Sequence, residues 1–188
     1  MMVTRLKHLP FKMSLLNKEK PIGLDFIIDK IQTKLYNKLS PKWNVDLDAY
    51  PRCYVLEDQD GIVTVEHYER NKEYSGNLIV SERNKFFFTA EDSQGKVNVT
   101  QFETKISIYF ILDLKSIYPE LKHRCDSEVL ADVSSVLDSS AGVNRKYKIV
   151  TDYNEVFGPF FYEFDNIQPY YCFRIDLETL PYSINKIC

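Results

Sequence analysis

The clearest pattern in the chain is an alternation of apolar and polar residues over residues 105–114. A period of two predicts a β-strand that packs one face on a core and presents a largely polar face to solvent. Residues 170–177 repeat the alternation and predict the last strand. Residues 53–56 and 62–68 predict a hairpin around a turn at 57–61. Shorter apolar runs predict further strands at residues 78–80, 85–89 and 147–150.

Two other segments carry apolar residues at helical spacing. The first helix is predicted from Pro21, which suits a first turn, to Leu39. Ser40-Pro41 is expected to stop it, because a proline disfavours helical geometry in the residue before it. The second helix is predicted over residues 126–140, with Asp126 as its N-cap residue.

The order helix, strands, helix, strands predicts an α+β fold. In it, an antiparallel β-sheet carries two helices packed on one face, together with extended hairpins. No linker divides residues 21–188, which we expect to form a single domain behind an extended N-terminal arm, residues 1–20. The polar segments 70–76 and 91–96 are either hairpin tips that reach a neighbouring molecule or ordinary surface turns.

Composition narrows the classes of function. With 44% hydrophobic and 27% charged residues, the 188-residue chain is typical of a folded domain. A net charge of −3 gives no electrostatic reason to expect a nucleic-acid protein. The four cysteines form no C-x-x-C pair, which favours reduced thiols in a cytoplasmic setting. The apolar runs are too short to span a bilayer, and the N-terminus lacks the pattern of a signal peptide.

Candidate chemistry is sparse. His123, Cys125 and Asp126 suggest a nucleophile beside a base, but Asp126 is better explained as a helix cap. Residues 58–61 resemble half of a calcium loop but lack the closing glutamate, so a hairpin turn is the favoured interpretation. We therefore predict that the chain is not an enzyme and has no catalytic, metal or cofactor-binding residues.

Apolar residues in unusual places predict protein interfaces instead. Side chains alternate along a strand, so a run of three aromatic residues must send at least one outward, onto a second layer of its own domain or onto another chain. In the arm, so many apolar residues would be a liability on a monomer. The predicted interface residues are Leu6, Leu9, Phe11, Met13 and Leu15 of the arm and the runs Phe86, Phe87, Phe88 and Phe160, Phe161, Tyr162.

The arrangement of a helix at 23–39, a long alternating strand at 105–114, a helix at 126–140 and a last strand at 170–177 resembles the tail-terminator and neck proteins of tailed bacteriophages. These proteins form the rings of the head–tail connector. The resemblance implies a structural virion protein that is made in the host cytoplasm and assembles into a closed homo-oligomeric ring, six- or twelve-fold. Its neighbours would be portal, connector or tail proteins, and DNA would be met only in passing through the ring lumen.

A second class of function stays open. A monomeric protein-binding module, of the inhibitor or immunity type, would dock one partner through a sheet edge or an aromatic patch. A ring subunit needs several separate apolar surfaces, whereas such a module needs one.

Overall fold

The computed structural model describes residues 15–57, 59, 63–67, 84–91, 94–140, 143–158 and 170–184. These ranges mix helices with strands, and the predicted α+β class is confirmed. The helices are α1 (Leu24–Trp43), α2 (Leu114–Ile117), α3 (Asp126–Asp138) and α4 (Tyr153–Val156). The strands are β1 (Leu47–Arg52), β2 (Tyr54–Glu57), β3 (Val63–Glu66), β4 (Asn84–Ala90), β5 (Gly95–Lys96), β6 (Gln101–Glu103), β7 (Lys105–Asp113), β8 (Val143–Val150), β9 (Tyr170–Thr179) and β10 (Tyr182–Ser183). The predicted strand at 78–80 and the segment 70–76 lie outside the described residues.

Five strands form the main sheet in the order β1-β4-β7-β9-β8. The two alternating segments are its central pair, since β7 and β9 run antiparallel from Lys105 opposite Glu178 to Asp113 opposite Tyr170. The sheet was predicted to be antiparallel throughout. One pair differs, because β1 runs parallel to β4. The chain between these two strands contains the antiparallel β2–β3 hairpin and returns to the same end of the sheet before β4 begins.

One face of the sheet packs against α1 and α3 in a single hydrophobic core. Alternate residues of the central strands, such as Ile108, Phe110 and Phe173, are fully buried there. Phe110 stacks on Phe173 with ring centroids 4.6 Å apart. The helices contribute Leu24, Ile28, Ile31, Leu35, Leu39, Trp43, Val129, Val133 and Leu137. Burying each of the larger side chains stabilises the fold by about 1.5–3 kcal/mol.

The opposite face of the sheet is also covered, which differs from the prediction of a largely polar face. Tyr109 and Ile111 of β7 are buried there beside Phe87 of β4. Their cover comes from short, separate segments of the chain: Cys53, Val65, Val156 and Phe157. On this second face, Ser107 of β7 is polar as the alternation predicted. Its hydroxyl donates a hydrogen bond to the carboxylate of Asp176 in β9 at 2.7 Å.

The end of the first helix and the N-cap residue of the second helix differ from the prediction. Helix α1 does not stop at Ser40-Pro41 but runs through Pro41 to Trp43, and Asn44 ends it in the left-handed conformation at φ 51°. Tertiary burial of Trp43 outweighs the local preference of the residue before proline. Helix α3 begins with Asp126 as its first helical residue, so the N-cap position belongs to Cys125. Asp126 instead pairs with Arg124 at 3.3 Å.

The end of the predicted arm belongs to the fold. Leu15 forms a parallel bridge with Ala49 of β1, and the Leu16 amide donates to the Ala49 carbonyl at 3.0 Å. Gln32 of α1 is buried and fastens this contact. Its amide nitrogen donates to the carbonyls of both Leu16 and Ala49 at 2.9 Å. The outer edge of β1 is therefore partly covered by the chain's own N-terminal segment.

Candidate protein-interaction surface

Phe86, Phe87 and Phe88 are each 0% exposed. Phe86 and Phe88 lie in the core beneath the helices, whereas Phe87 stacks on Tyr109 on the other face at a centroid distance of 4.9 Å. The run was predicted to face either a second layer of its own domain or another chain. The structure has the first arrangement, because β4 is covered on both faces by its own domain. The prediction that Phe86, Phe87 and Phe88 are interface residues is wrong, because these side chains have no exposed area with which to contact a partner.

Leu15 is half-buried and packs against the main core, so part of its predicted interface is used within the chain. The remaining members of the predicted set lie outside the described residues, and an interface role for them stays a prediction. They are Leu6, Leu9, Phe11, Met13, Phe160, Phe161 and Tyr162.

A different group of apolar residues is exposed at one end of the molecule. Strands β10, β6 and β5 form a small three-stranded sheet there, beside the ends of β7 and β9. Six exposed apolar residues on this sheet, its flanking turns and the start of α1 define what we call the apolar end surface: Ile22, Phe26, Val97, Val99, Leu180 and Ile184. Among the described residues, Val55 is the one further large apolar side chain with comparable exposure.

Backbone contacts connect the parts of the apolar end surface. The Val97 amide donates to the Gln101 carbonyl at 3.0 Å, and Gln101 pairs with Ser183 of β10. Ile184 follows Ser183 and passes close to Gly23, whose φ is +58°. A Cβ at Gly23 would come within 3.7 Å of the Ile184 Cα, so the start of α1 and the end of β10 lie side by side.

The turn that carries Val99 is held by hydrogen bonds. The side-chain oxygen of Asn98 accepts from the amides of Thr100 and Gln101, both at 3.0 Å. Asparagine commonly stabilises turns in this way. Val99 is 86% exposed in a turn whose backbone is already fixed, so little ordering is needed when a partner covers it.

An acidic patch lies at the base of the same small sheet. Glu91, Glu103 and Glu178 line a shallow depression of about 220 Å³ together with Lys105. Lys105 pairs with Glu91 at 3.8 Å, which leaves the patch with an excess of negative charge. A partner with basic residues would complement it.

The free edges of the main sheet are less suited to a partner. The edge of β1 is partly covered by Leu15 and Leu16, as described above. The opposite edge, β8, has an irregular register between Val143 and Tyr147 and carries Lys146 and Lys148. Bulges and lysines on an edge strand are typical of sheets that avoid pairing with other chains.

A second concave feature is a cleft of about 660 Å³ between the N-terminal segment, α1 and the β2–β3 hairpin. Its central carboxylate, Asp25, pairs with Lys18 and with the Arg52 Nε at 3.0 Å. Gln32, at its inner wall, bonds to the carbonyls of Leu16 and Ala49. These groups fasten the N-terminal segment to α1, and the contacts between them do not form a nucleophile–base pair.

The residues considered for catalysis do not come together. His123 lies 3.0 Å from Glu128, whereas the buried Cys125 sulfur points to the Leu114 carbonyl at 3.5 Å. Burial raises the pKa of the Cys125 thiol, which disfavours the reactive thiolate. His67 is buried and packs edge-on against Tyr50 at 4.9 Å, while the calcium-like turn at 58–61 lies largely outside the described residues.

The described residues contain no group of three or more His, Cys, Asp or Glu side chains placed to bind a metal ion. None of the helices in the described ranges is both long and apolar enough to cross a bilayer.

Sequence reasoning missed the apolar end surface. The local signal was the alternation Val97-Asn98-Val99, which reads as an ordinary strand with one apolar face. Only the placement of this segment beside residue 184 and the start of α1 reveals a shared surface. Comparison with protein-family models, with curated proteins and with solved structures finds no match to this chain.

Proposed function

We propose that this chain is an assembly protein, which binds other protein subunits through the apolar end surface. The observation that carries the proposal is the concentration of exposed apolar residues at one end of the fold. Large apolar patches on soluble proteins mark interaction sites, because covering them removes an unfavourable contact with water. The hydrogen-bonded turn around Val99 gives this surface a defined backbone shape. The acidic patch beside it provides negative charge that a basic partner segment would complement.

The form of assembly that we propose is a homo-oligomeric ring in a phage virion, at the head–tail junction. A ring subunit must present two different faces, so that one face of each copy binds the other face of the next. The apolar end surface would serve as one face. The resemblance in element order to phage ring proteins supports this proposal. The irregular register and the lysines on the edge of β8 argue against the alternative, which is assembly by pairing of edge strands.

A monomeric module that docks one partner is the second candidate. The observation that favours it is that, within the described ranges, the exposed large apolar side chains other than Val55 lie on a single surface. A module of this kind would use that surface for its partner and would remain a monomer alone.

The test compares two substitutions of exposed valines in the full chain by light scattering. Val99→Asp places a charge on the apolar end surface. The matched control, Val55→Asp, makes the same change at a 45% exposed position away from it. If the ring proposal holds, the wild-type mass is a multiple of 22.1 kDa, Val99→Asp lowers it towards one chain, and Val55→Asp leaves it unchanged.

Two other outcomes are informative. A wild-type chain that stays monomeric over a hundredfold range of concentration would reject self-assembly and favour the single-partner module. A multimer that is equally insensitive to both substitutions would reject the apolar end surface as its interface. Thermal unfolding of each variant, followed by circular dichroism, checks that neither substitution disturbs the fold.

A further inference from the structure

The N-terminal segment, residues 1–14, precedes Leu15, which pairs with Ala49 in the middle of β1. Leu15 runs parallel to β1, in the direction from Leu47 to Arg52. Arg52 pairs with Asp25 in the first turn of α1, which adjoins the apolar end surface. The chain therefore enters the fold from the Leu47 side, where α1 ends.

The sequence of this segment complements the apolar end surface. Leu9, Phe11 and Met13 alternate with Pro10 and Lys12, so in an extended peptide the three apolar side chains share one side. Three basic residues, Arg5, Lys7 and Lys12, accompany them. The receiving end offers exposed apolar side chains and, beside them, a patch with three glutamates and one lysine.

We propose that residues 1–14 of one copy bind the apolar end surface of a second copy. This inference rests on the proposed assembly function and names the two surfaces that meet. Leu9, Phe11 and Met13 lie on the apolar residues around Val99, and the basic side chains lie near Glu103 and Glu178. Each copy then donates a segment at one end and receives one at the other, a head-to-tail contact that repeats from copy to copy.

Geometry favours a second copy over the chain's own surface. A 20-residue helix is about 30 Å long, and α1 separates the two ends. Fully extended, 14 residues span about 46 Å. That span is long enough to reach the chain's own apolar end surface, but only if the segment reverses direction and returns along α1. The direction of the chain at Leu15 leads without reversal to a copy that is stacked end to end.

The experiment uses full-length chains with single introduced cysteines and a short bismaleimide crosslinker. All chains carry Cys188→Ser, and the native Cys53, Cys125 and Cys172 are buried. Chains with Leu9→Cys are mixed with chains of different mass that carry Val99→Cys. The matched control replaces the second chain with one that carries Val55→Cys. A chain with both Leu9→Cys and Val99→Cys tests binding within one copy.

The expected result is a crosslinked pair of Leu9→Cys and Val99→Cys chains, at least tenfold more abundant than the pair with Val55→Cys. Equal crosslinking to both partners, or to neither, would overturn the inference. So would a doubly substituted chain that crosslinks only within itself on dilution. If Val99→Asp abolishes assembly but Leu9→Cys does not crosslink to Val99→Cys, the proposed function stands and this inference alone fails.

Discussion

Trp43 donates its indole N–H to a carboxylate oxygen of Asp132 at 2.8 Å, which joins the last turn of α1 to the middle of α3. Tyr118, which follows α2, donates its hydroxyl to the same oxygen, and Lys42 pairs with the other. Helices α1 and α3 and the residue that follows α2 are thus connected through the carboxylate of Asp132, which is 9% exposed. This network explains why α1 continues past Pro41, since Trp43 must stay helical to reach Asp132.

Replacing Asp132 should therefore destabilise the fold. Asp132→Ala leaves the buried indole N–H without its acceptor and should lower the free energy of unfolding by about 2 kcal/mol. Asp132→Asn keeps a neutral acceptor and should cost less. Urea denaturation followed by tryptophan fluorescence measures both. The control is Asp138→Ala at the exposed end of α3; equal losses for Asp132→Ala and Asp138→Ala would contradict the role assigned to the network.

The contribution of Asp132 should depend on pH. Burial works against its ionised form, but hydrogen bonds from Lys42, Tyr118 and Trp43 outweigh burial and lower the pKa of Asp132. A carboxyl with a lowered pKa in the folded state stabilises the fold fully above its unfolded pKa, and this stabilisation is lost as the pH falls through the folded pKa.

The free energy of unfolding should consequently differ most between wild type and Asp132→Asn near neutral pH. The difference should shrink once the pH falls below about 4, the unfolded value for aspartate. Urea titrations at several pH values measure it. A difference that is constant down to about pH 3 would show that the charge of Asp132 is not what stabilises the network.

Phe87 and Phe88 should matter equally although they lie on opposite faces of the sheet. Each is fully buried, so Phe87→Ala and Phe88→Ala should each lower the free energy of unfolding by about 3–5 kcal/mol through the cavity they leave. Val55→Ala is the control, since Val55 is 45% exposed and lies away from the apolar end surface, and it should cost less than about 1 kcal/mol. A loss for Phe87→Ala as small as for Val55→Ala would mean that the second face of the sheet is not a packed layer.

The buried cysteines should be unreactive in the native protein. Burial raises the pKa of the Cys172 thiol to about 12, and it also raises the pKa of Cys53. In a Cys188→Ser chain, Ellman's reagent at mildly alkaline pH should label almost no thiol in the native state and all three after unfolding in urea. Fast labelling of the folded chain would show that one of these sites opens to solvent.

The sequence predicts those helices and strands that have a clear pattern of apolar and polar residues within a single continuous segment. Alternation along residues 105–114 and 170–177 identifies the two central strands and the face of each that packs against α1 and α3. The apolar stripe before Leu39 identifies α1. These patterns are long, so burial enforces them over many residues at once.

Other features depend on contacts between distant residues and were missed. Tyr109 and Ile111 are covered by single residues from β3, α4 and the segment before β2, none of which carries a pattern that points to this face. The parallel pairing of β1 depends on the course of the chain between Arg52 and Asn84 rather than on the composition of β1. The apolar end surface was missed for the same reason, because its members are brought together only by the packing of β10 beside α1.

The position of β9 in the sheet has a consequence for biosynthesis. β9 begins at Tyr170, yet it lies between β7 and β8 and pairs with both along most of its length. A nascent chain that has not emerged beyond this strand leaves an open, largely apolar gap at the centre of the sheet. The domain can therefore close only after Thr179, the last residue of β9, has left the ribosome, and shorter nascent chains need protection from aggregation until then.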